Sequence, residues 1–176
     1  MKTQTKRTQY LTQGALIAAL YTILTLLAAS VNLAYGPFQF RFSEALTILP
    51  IFTPAAIPGL AIGCLLSNIW SGYGIWDMVF GTLATLLAAV GTRMVRNIRF
   101  KNLPLLAPLP PVLFNAVIVG LEITILSPGG FLWPTFGSMA LSVGAGELVV
   151  CYALGLPLAA ALEKTGVKFF TNSEKR

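Results

Sequence analysis

The chain has 176 residues, of which 56 % are hydrophobic and only 10 % are charged. Because about a quarter of the residues in an average soluble domain are charged, this composition excludes a water-soluble globular protein and indicates a membrane protein. The sequence contains no histidine, which removes the commonest general base and metal ligand, and with them most classes of enzyme. The net charge is +6, but the basic residues stand in short segments between apolar runs, a pattern typical of membrane topology signals rather than of nucleic-acid binding.

Uncharged apolar runs alternate along the chain with breaks that are rich in proline, glycine or basic residues. A transmembrane helix needs about 20 apolar residues, and the first uncharged run, residues 8–40, holds one such span. The next run carries Pro50, Pro54 and Pro58. A single straight helix does not tolerate these prolines, so we predict two short helices joined by a turn. The predicted helices are residues 10–31, 42–52, 55–70, 77–93, 110–126 and 137–162.

These runs predict an all-α membrane protein, one integral domain over residues 1–176 with six transmembrane helices. The second helix is too short to cross about 30 Å of hydrocarbon alone, so it must tilt, thin the bilayer or be sheltered by its neighbours. With the N-terminus in the cytoplasm, eleven of the twelve basic residues lie inside and only Arg41 lies outside. Because cytoplasmic loops carry an excess of Lys and Arg, we predict a multi-pass cell-membrane protein with both termini in the cytoplasm.

Four carboxylates fall in the outer half of this predicted topology or near the midplane. Glu122 lies near the outer end of the fifth helix, and Glu147 lies about ten residues into the sixth, close to mid-bilayer at a 1.5 Å rise per residue. A carboxylate at that depth is costly unless it is paired or faces a wet cavity, so both are candidate functional residues. Glu44 and Asp77 remain open between ligand contact and helix capping. Arg41 is positioned to pair with Glu44 at i, i+3.

Amide and aromatic side chains complete a predicted pocket on the outer side. Asn115 precedes Glu122 by seven residues and shares its helix face, and Asn68 lies near the end of the third helix. A hydrogen bond between helices remains the alternative for both asparagines. The aromatic residues assigned to the pocket are Tyr73, Trp76 and Trp133. An aromatic belt at the membrane interface is the alternative for some of them, but carboxylates beside flat rings indicate a site for a small, planar, amine-bearing molecule.

Helix one carries small residues at i, i+4 twice, Gly14 with Ala18 and Ala15 with Ala19. Such a face allows another helix to approach closely, so we predict that it binds a partner protein. The sequence has no phosphate-binding loop of the GxxxxGK[ST] type. We therefore expect no cofactor and no metal, and any ATP hydrolysis must come from another subunit.

The most specific stretch of the chain, residues 39–50, is Gln-Phe-Arg-Phe-Ser-Glu-Ala-Leu-Thr-Ile-Leu-Pro. Together with residues 52–59, Phe-Thr-Pro-Ala-Ala-Ile-Pro-Gly, and with the Gly-Ile-Trp-Asp segment that ends at Asp77, it resembles the QueT family. That family belongs to the substrate-binding (S) components of energy-coupling factor (ECF) transporters. The resemblance covers almost the whole chain and implies a six-helix S-component bundle.

The resemblance implies the uptake of a queuosine precursor, such as the aminomethyl deazaguanine preQ1 or queuine, which the S component captures outside the cell. It also implies a transmembrane coupling protein that docks at Ala15 and Ala19, and two ATPase subunits. The alternatives are an S component for another vitamin or base such as thiamine, an autonomous permease, and a membrane-embedded lipid-modifying enzyme.

Overall fold

The computed structural model of the chain describes residues 2–36, 39–101 and 103–165. Its helices are α1 (Lys2–Ser30), a 3-10 helix (Phe42–Ile51), α2 (Ala56–Asn68), α3 (Ile75–Met94), α4 (Leu109–Leu126), α5 (Trp133–Val150), a π-helical turn (Cys151–Gly155) and α6 (Leu156–Thr165). The π turn joins α5 to α6 in one continuous helix. With the 3-10 helix counted as one helix and α5 to α6 as another, the described residues form six helices and no strand. This confirms the predicted all-α fold. Three basic residues of the predicted cytoplasmic tail, Lys168, Lys175 and Arg176, lie outside the described residues.

Four helical stretches are long and apolar enough to cross a membrane. They are Lys6–Ser30, Ile75–Met94, Leu109–Leu126 and Trp133–Thr165. The outer faces of these helices carry large exposed apolar side chains, such as Leu20, Ile23 and Leu27 along α1. In water such faces would promote aggregation, whereas in a bilayer they contact lipid tails. The chain is therefore a membrane protein.

Two helices begin at least four residues earlier than the sequence predicts. α1 begins at Lys2 rather than at residue 10, because hydropathy marks the part of a helix that suits the membrane and not the point where helical backbone starts. α5 begins at Trp133 rather than at residue 137, with Pro134 in its first turn. Proline is tolerated there because the first N–H groups of a helix have no helical acceptor.

The second predicted helix is a ten-residue 3-10 helix that is wrapped by the rest of the protein. At a rise of about 2.0 Å per residue it extends about 20 Å, less than the hydrocarbon thickness. Every residue from Ser43 to Ile51 is buried, so its neighbours shelter the backbone from lipid, as a non-α segment at membrane depth requires. At its end, Arg93 Nη1 donates to the Pro50 carbonyl at 2.8 Å and satisfies an acceptor that the helix leaves free.

α1 and α2 approach each other through small residues. A Cβ atom at Gly59 would lie 2.7 Å from the Gly14 carbonyl oxygen, and one at Gly63 would lie 2.8 Å from that of Ala18. Gly14 and Ala18, which we predicted to bind a partner protein, therefore pack against α2 of the same chain. The other predicted pair, Ala15 and Ala19, is exposed on the opposite side of α1.

Candidate functional site

Arg41 and Asp77 form a buried ion pair between the start of the 3-10 helix and the first turn of α3. Arg41 Nη2 lies 3.8 Å from Asp77 Oδ1, and the two side chains are 2 % and 3 % exposed. Arg41 Nε donates to the Ala34 carbonyl at 2.6 Å, and its guanidinium lies over the Tyr35 ring, 5.2 Å from the centroid. The predicted pairing of Arg41 with Glu44 is wrong, because Arg41 turns towards α3 instead.

Asp77 is also held from α2 and from the loop that precedes α3. The Ser71 hydroxyl donates to Asp77 Oδ2, and Asn68 Nδ2 donates to the Asp77 carbonyl at 2.7 Å. Asp77 is not the N-cap of α3, since that position belongs to Gly74. Gly81 leaves the room that Asn68 occupies, because a Cβ atom there would lie 2.6 Å from Asn68 Nδ2. The interhelical alternative for Asn68 is thus realised, while its Oδ1 has no hydrogen-bond partner among the described residues.

Glu44 is directed towards α1. Its Oε1 accepts a hydrogen bond from the Tyr21 hydroxyl, whereas its Oε2 is buried without a partner in the described part of the chain. Glu44 does not cap the 3-10 helix, because Arg41 occupies the N-cap position and no side chain supplies a cap hydrogen bond there. The carboxyl group is therefore held inside the protein, with one oxygen still available.

Glu147 lies on α5, one turn before the π-helical turn that carries Cys151. The Cys151 thiol lies 3.6 Å from Glu147 Oε2 and 3.7 Å from the Glu44 carbonyl oxygen. A single π turn inside an α-helix is frequent at functional sites, and this one places Glu147 beside the 3-10 helix.

Glu122 occupies the buried face of α4. The residue is 2 % exposed, and neither of its carboxyl oxygens has a hydrogen-bond partner among the described residues. Asn115 is buried on the same helix, but its amide donates to the Pro111 carbonyl of α4 at 3.1 Å. Glu122 is therefore the acceptor that α4 offers to the polar interior.

The acidic candidates are all buried, whereas the aromatic ones are not. Trp76 is 49 % and Trp133 is 75 % exposed, and Tyr73 is partly exposed. Trp76 contacts Phe80 and Trp133 contacts Phe131, at ring-centroid distances of 6.0 and 5.1 Å. Exposed tryptophans at helix starts are typical of a membrane interface, where the ring is half apolar and half polar.

Sequence reasoning missed Tyr21, although α1 carried a signal for it. Gln13, Tyr21 and Thr25 recur at multiples of four residues, so they share one face of an otherwise apolar helix. Gln13 Oε1 accepts from the Thr53 hydroxyl at 2.8 Å, and the Thr25 hydroxyl donates to Ser43 Oγ at 2.7 Å. This polar face of α1 contacts the 3-10 helix and the turn that follows it. Sequence reasoning also missed Cys151, Ser71 and Tyr35. In the sequence alone, nothing about these residues indicates that the fold places each of them beside a charged side chain.

Apolar helices that enclose several ionisable side chains are the architecture of a membrane transport protein. Residues 11–164 match the model of the family described as QueT transporter, so the chain belongs to the QueT transporter family, as predicted. It is therefore a member of a family of transporters and not of enzymes.

One curated relative adds detail to this assignment. A stretch of 73 residues is 41 % identical to the protein named "Queuosine precursor transporter QueT" of Lactococcus lactis subsp. cremoris. The stretch covers 42 % of this chain and 43 % of that protein, so the match spans less than half the length of the relative. No solved structure matches the chain.

Proposed function

We propose that the chain is the substrate-binding membrane subunit of an ATP-driven ECF importer and captures a queuosine precursor, preQ1 or queuine, on the outer side of the membrane. Membership of the QueT transporter family supports the transport role. The printed name of the Lactococcus relative supports the substrate class.

The observation that carries this proposal is the pair of unpartnered oxygens on buried Glu122. A buried acceptor without a donor is costly, and a guanine-like ring offers adjacent N–H groups that one carboxylate accepts bidentately. Around it we assign to the substrate the predicted residues Arg41, Glu44, Asn68, Asp77, Asn115 and Glu147. The exposed rings of Tyr73, Trp76 and Trp133 are assigned to the outer entrance.

The proposed orientation is supported by the distribution of charges along the fold. Arg99, in the connector between α3 and α4, pairs with Glu163 on α6, so the basic connector and the end of the last helix meet at one end of the bundle. Arg41 and Arg93 lie at opposite ends of the 3-10 helix. With the basic connector in the cytoplasm, Arg41 and its carboxylate neighbours open towards the outside.

The proposed partners are a transmembrane coupling protein and two ATPase subunits. The exposed small residues Ala15 and Ala19 give α1 a face that another helix can approach closely. In membranes without the partners, we expect the chain to bind the substrate but not to accumulate it.

Substrate binding is tested by titrating the purified full chain with preQ1, queuine, guanine and thiamine. We expect preQ1 or queuine to bind best, and we expect Glu122→Gln to weaken that binding by at least about tenfold, since a bidentate charged acceptor is lost. Glu163→Gln, which changes a carboxylate of the distant Arg99 pair, is the matched control. If Glu122→Gln binds within about twofold of the wild type, Glu122 does not contact the substrate, and preferred binding of thiamine would identify a different S component.

Partner dependence is tested by uptake into liposomes. Uptake should require ATP, the coupling protein and the ATPases. The double change Ala15→Leu and Ala19→Leu should abolish uptake while binding is kept, because bulky side chains prevent close helix contact. Ala161→Leu, at an exposed alanine of α6, is the control. Accumulation by the chain alone would instead identify an autonomous permease.

A further inference from the structure

The buried charges of the described residues do not balance. Four carboxylic residues are buried, Glu44, Asp77, Glu122 and Glu147, and Arg41 is the basic residue buried among them. Arg41 approaches Asp77 and bonds to the Ala34 carbonyl, so its closest pairing is with one carboxyl group. Anionic carboxylates at membrane depth require a countercharge nearby. A further positive charge in this interior would therefore be stabilised by the buried carboxyl groups.

The carboxyl group of Glu44 is held in place and has one free acceptor oxygen for such a charge. The Tyr21 hydroxyl binds Oε1 and orients the carboxyl plane. Oε2 has no partner among the described residues, although Glu44 is only 1 % exposed. One carboxyl oxygen of Glu44 is thus fixed by a hydrogen bond, while the other is buried without a donor. Such an unsatisfied acceptor indicates a site for a donor that comes from outside the chain.

Glu147 lies close enough to act together with Glu44. The Cys151 thiol contacts both the Glu147 carboxyl group and the Glu44 backbone carbonyl, so the Glu147 carboxyl group lies beside residue 44 of the 3-10 helix. Two like charges in one buried site destabilise each other, and a cation between them removes that repulsion. Lys6, Lys101 and Lys164 are exposed, and Arg41 is paired with Asp77, so we assign this cation to the ligand.

We infer that Glu44 and Glu147 form a cation subsite that binds the protonated amine of the substrate, while Glu122 binds the N–H edge of its ring. This inference rests on the proposed function. An alkylamine is protonated at neutral pH, as the lysine side chain is, and its ammonium group carries three donors for two carboxylates. The chain therefore selects aminomethyl deazaguanines over neutral analogues of the same ring.

The test compares two ligands on the purified full chain by calorimetric titration. They are 7-aminomethyl-7-deazaguanine, which is cationic, and 7-methyl-7-deazaguanine, which has the same ring and no amine. The wild type should bind the cationic compound at least about tenfold more tightly. Glu147→Gln and Glu44→Gln should each remove most of this preference by weakening the cationic compound alone. Glu163→Gln, at an exposed pair, should keep the preference.

The outcomes separate this inference from the function on which it rests. If the wild type binds neither compound, the proposed function is wrong and the inference falls with it. If the wild type binds both compounds equally, or if both glutamine variants keep the preference, the subsite is wrong while deazaguanine binding stands. Retained binding of the methyl compound shows that a variant is folded. If each glutamine variant loses both compounds to the same extent, the two acids are structural and the subsite is overturned.

Discussion

The Tyr21 hydroxyl on α1 donates a hydrogen bond to one carboxyl oxygen of Glu44 on the 3-10 helix. This contact joins the polar face of α1 to the 3-10 helix, as the hydrogen bond from Thr25 to Ser43 also does. Both residues are fully buried, so the bond forms without competition from water and its loss is not compensated by solvent.

Replacing Tyr21 by phenylalanine tests that contact. We expect Tyr21→Phe to lower the free energy of unfolding by about 1–3 kcal/mol, because a buried carboxyl group loses its donor. Thermal unfolding in detergent measures the change. Tyr10→Phe is the matched control, since Tyr10 lies on the same helix and is exposed. Equal midpoints for Tyr21→Phe and the wild type would mean that the hydroxyl does not stabilise Glu44.

The Arg41–Asp77 pair predicts a larger effect. Asp77→Asn should destabilise the protein by about 3–5 kcal/mol, because it leaves a buried guanidinium without its anion. Adding Arg41→Met should restore part of the loss, which a double-mutant cycle measures. The exposed pair of Arg99 and Glu163 gives the contrast, and Glu163→Gln should cost less than about 1 kcal/mol. Similar losses for the two pairs would contradict the burial argument.

The close contact of α1 with α2 predicts a steric effect at Gly63. A Cβ atom there would lie 2.8 Å from both the Ala18 carbonyl oxygen and the Tyr21 Cβ. Gly63→Val should therefore destabilise the protein by at least about 1–3 kcal/mol, because the helices must separate. Gly137→Ala is the control, since nothing lies within 4 Å of a Cβ atom on that helical glycine, and alanine should be neutral or stabilising. Thermal unfolding distinguishes the two.

The proposed orientation is checked by cysteine labelling in whole cells. Cys64 and Cys151 are buried, so background labelling by a membrane-impermeant maleimide should be low. A cysteine introduced at Gly72, in the exposed loop between α2 and α3, should react in intact cells. A cysteine introduced at the exposed Lys101 should react only after the membrane is permeabilised. The opposite pattern would invert the topology.

Hydropathy and proline placement were sufficient to predict the helices, because both act locally along the chain. The choice of partner for Arg41 was not predictable in this way. The i, i+3 rule assumes an α-helix, but Arg41 has an extended backbone, with φ −74° and ψ 107°, just before the 3-10 helix. The helical spacing therefore does not apply to Arg41, and its guanidinium meets Asp77 of α3 instead.

The acidic part of the candidate site was predictable because a carboxylate at membrane depth is costly wherever it lies. The 3-10 helix and the π turn were not predictable from the sequence. Both differ from an α-helix only in hydrogen-bond register, which depends on tertiary packing. Tyr21 was missed because one tyrosine in an apolar helix carries little information. Its four-residue spacing from Thr25 becomes meaningful only when the facing segment is known to be polar.

The short 3-10 helix has a consequence for the surface that the bundle presents to lipid. Arg41 lies at one end of it, and Arg93 binds the Pro50 carbonyl at the other. These two guanidinium groups bound a segment about 20 Å long, whereas the surrounding hydrocarbon layer is about 30 Å thick. Because Ser43 to Ile51 are buried, lipid tails meet the surrounding α-helices rather than this segment, as its non-α backbone requires. The longer α-helices around the 3-10 helix therefore set the hydrophobic thickness that the bundle presents to the bilayer.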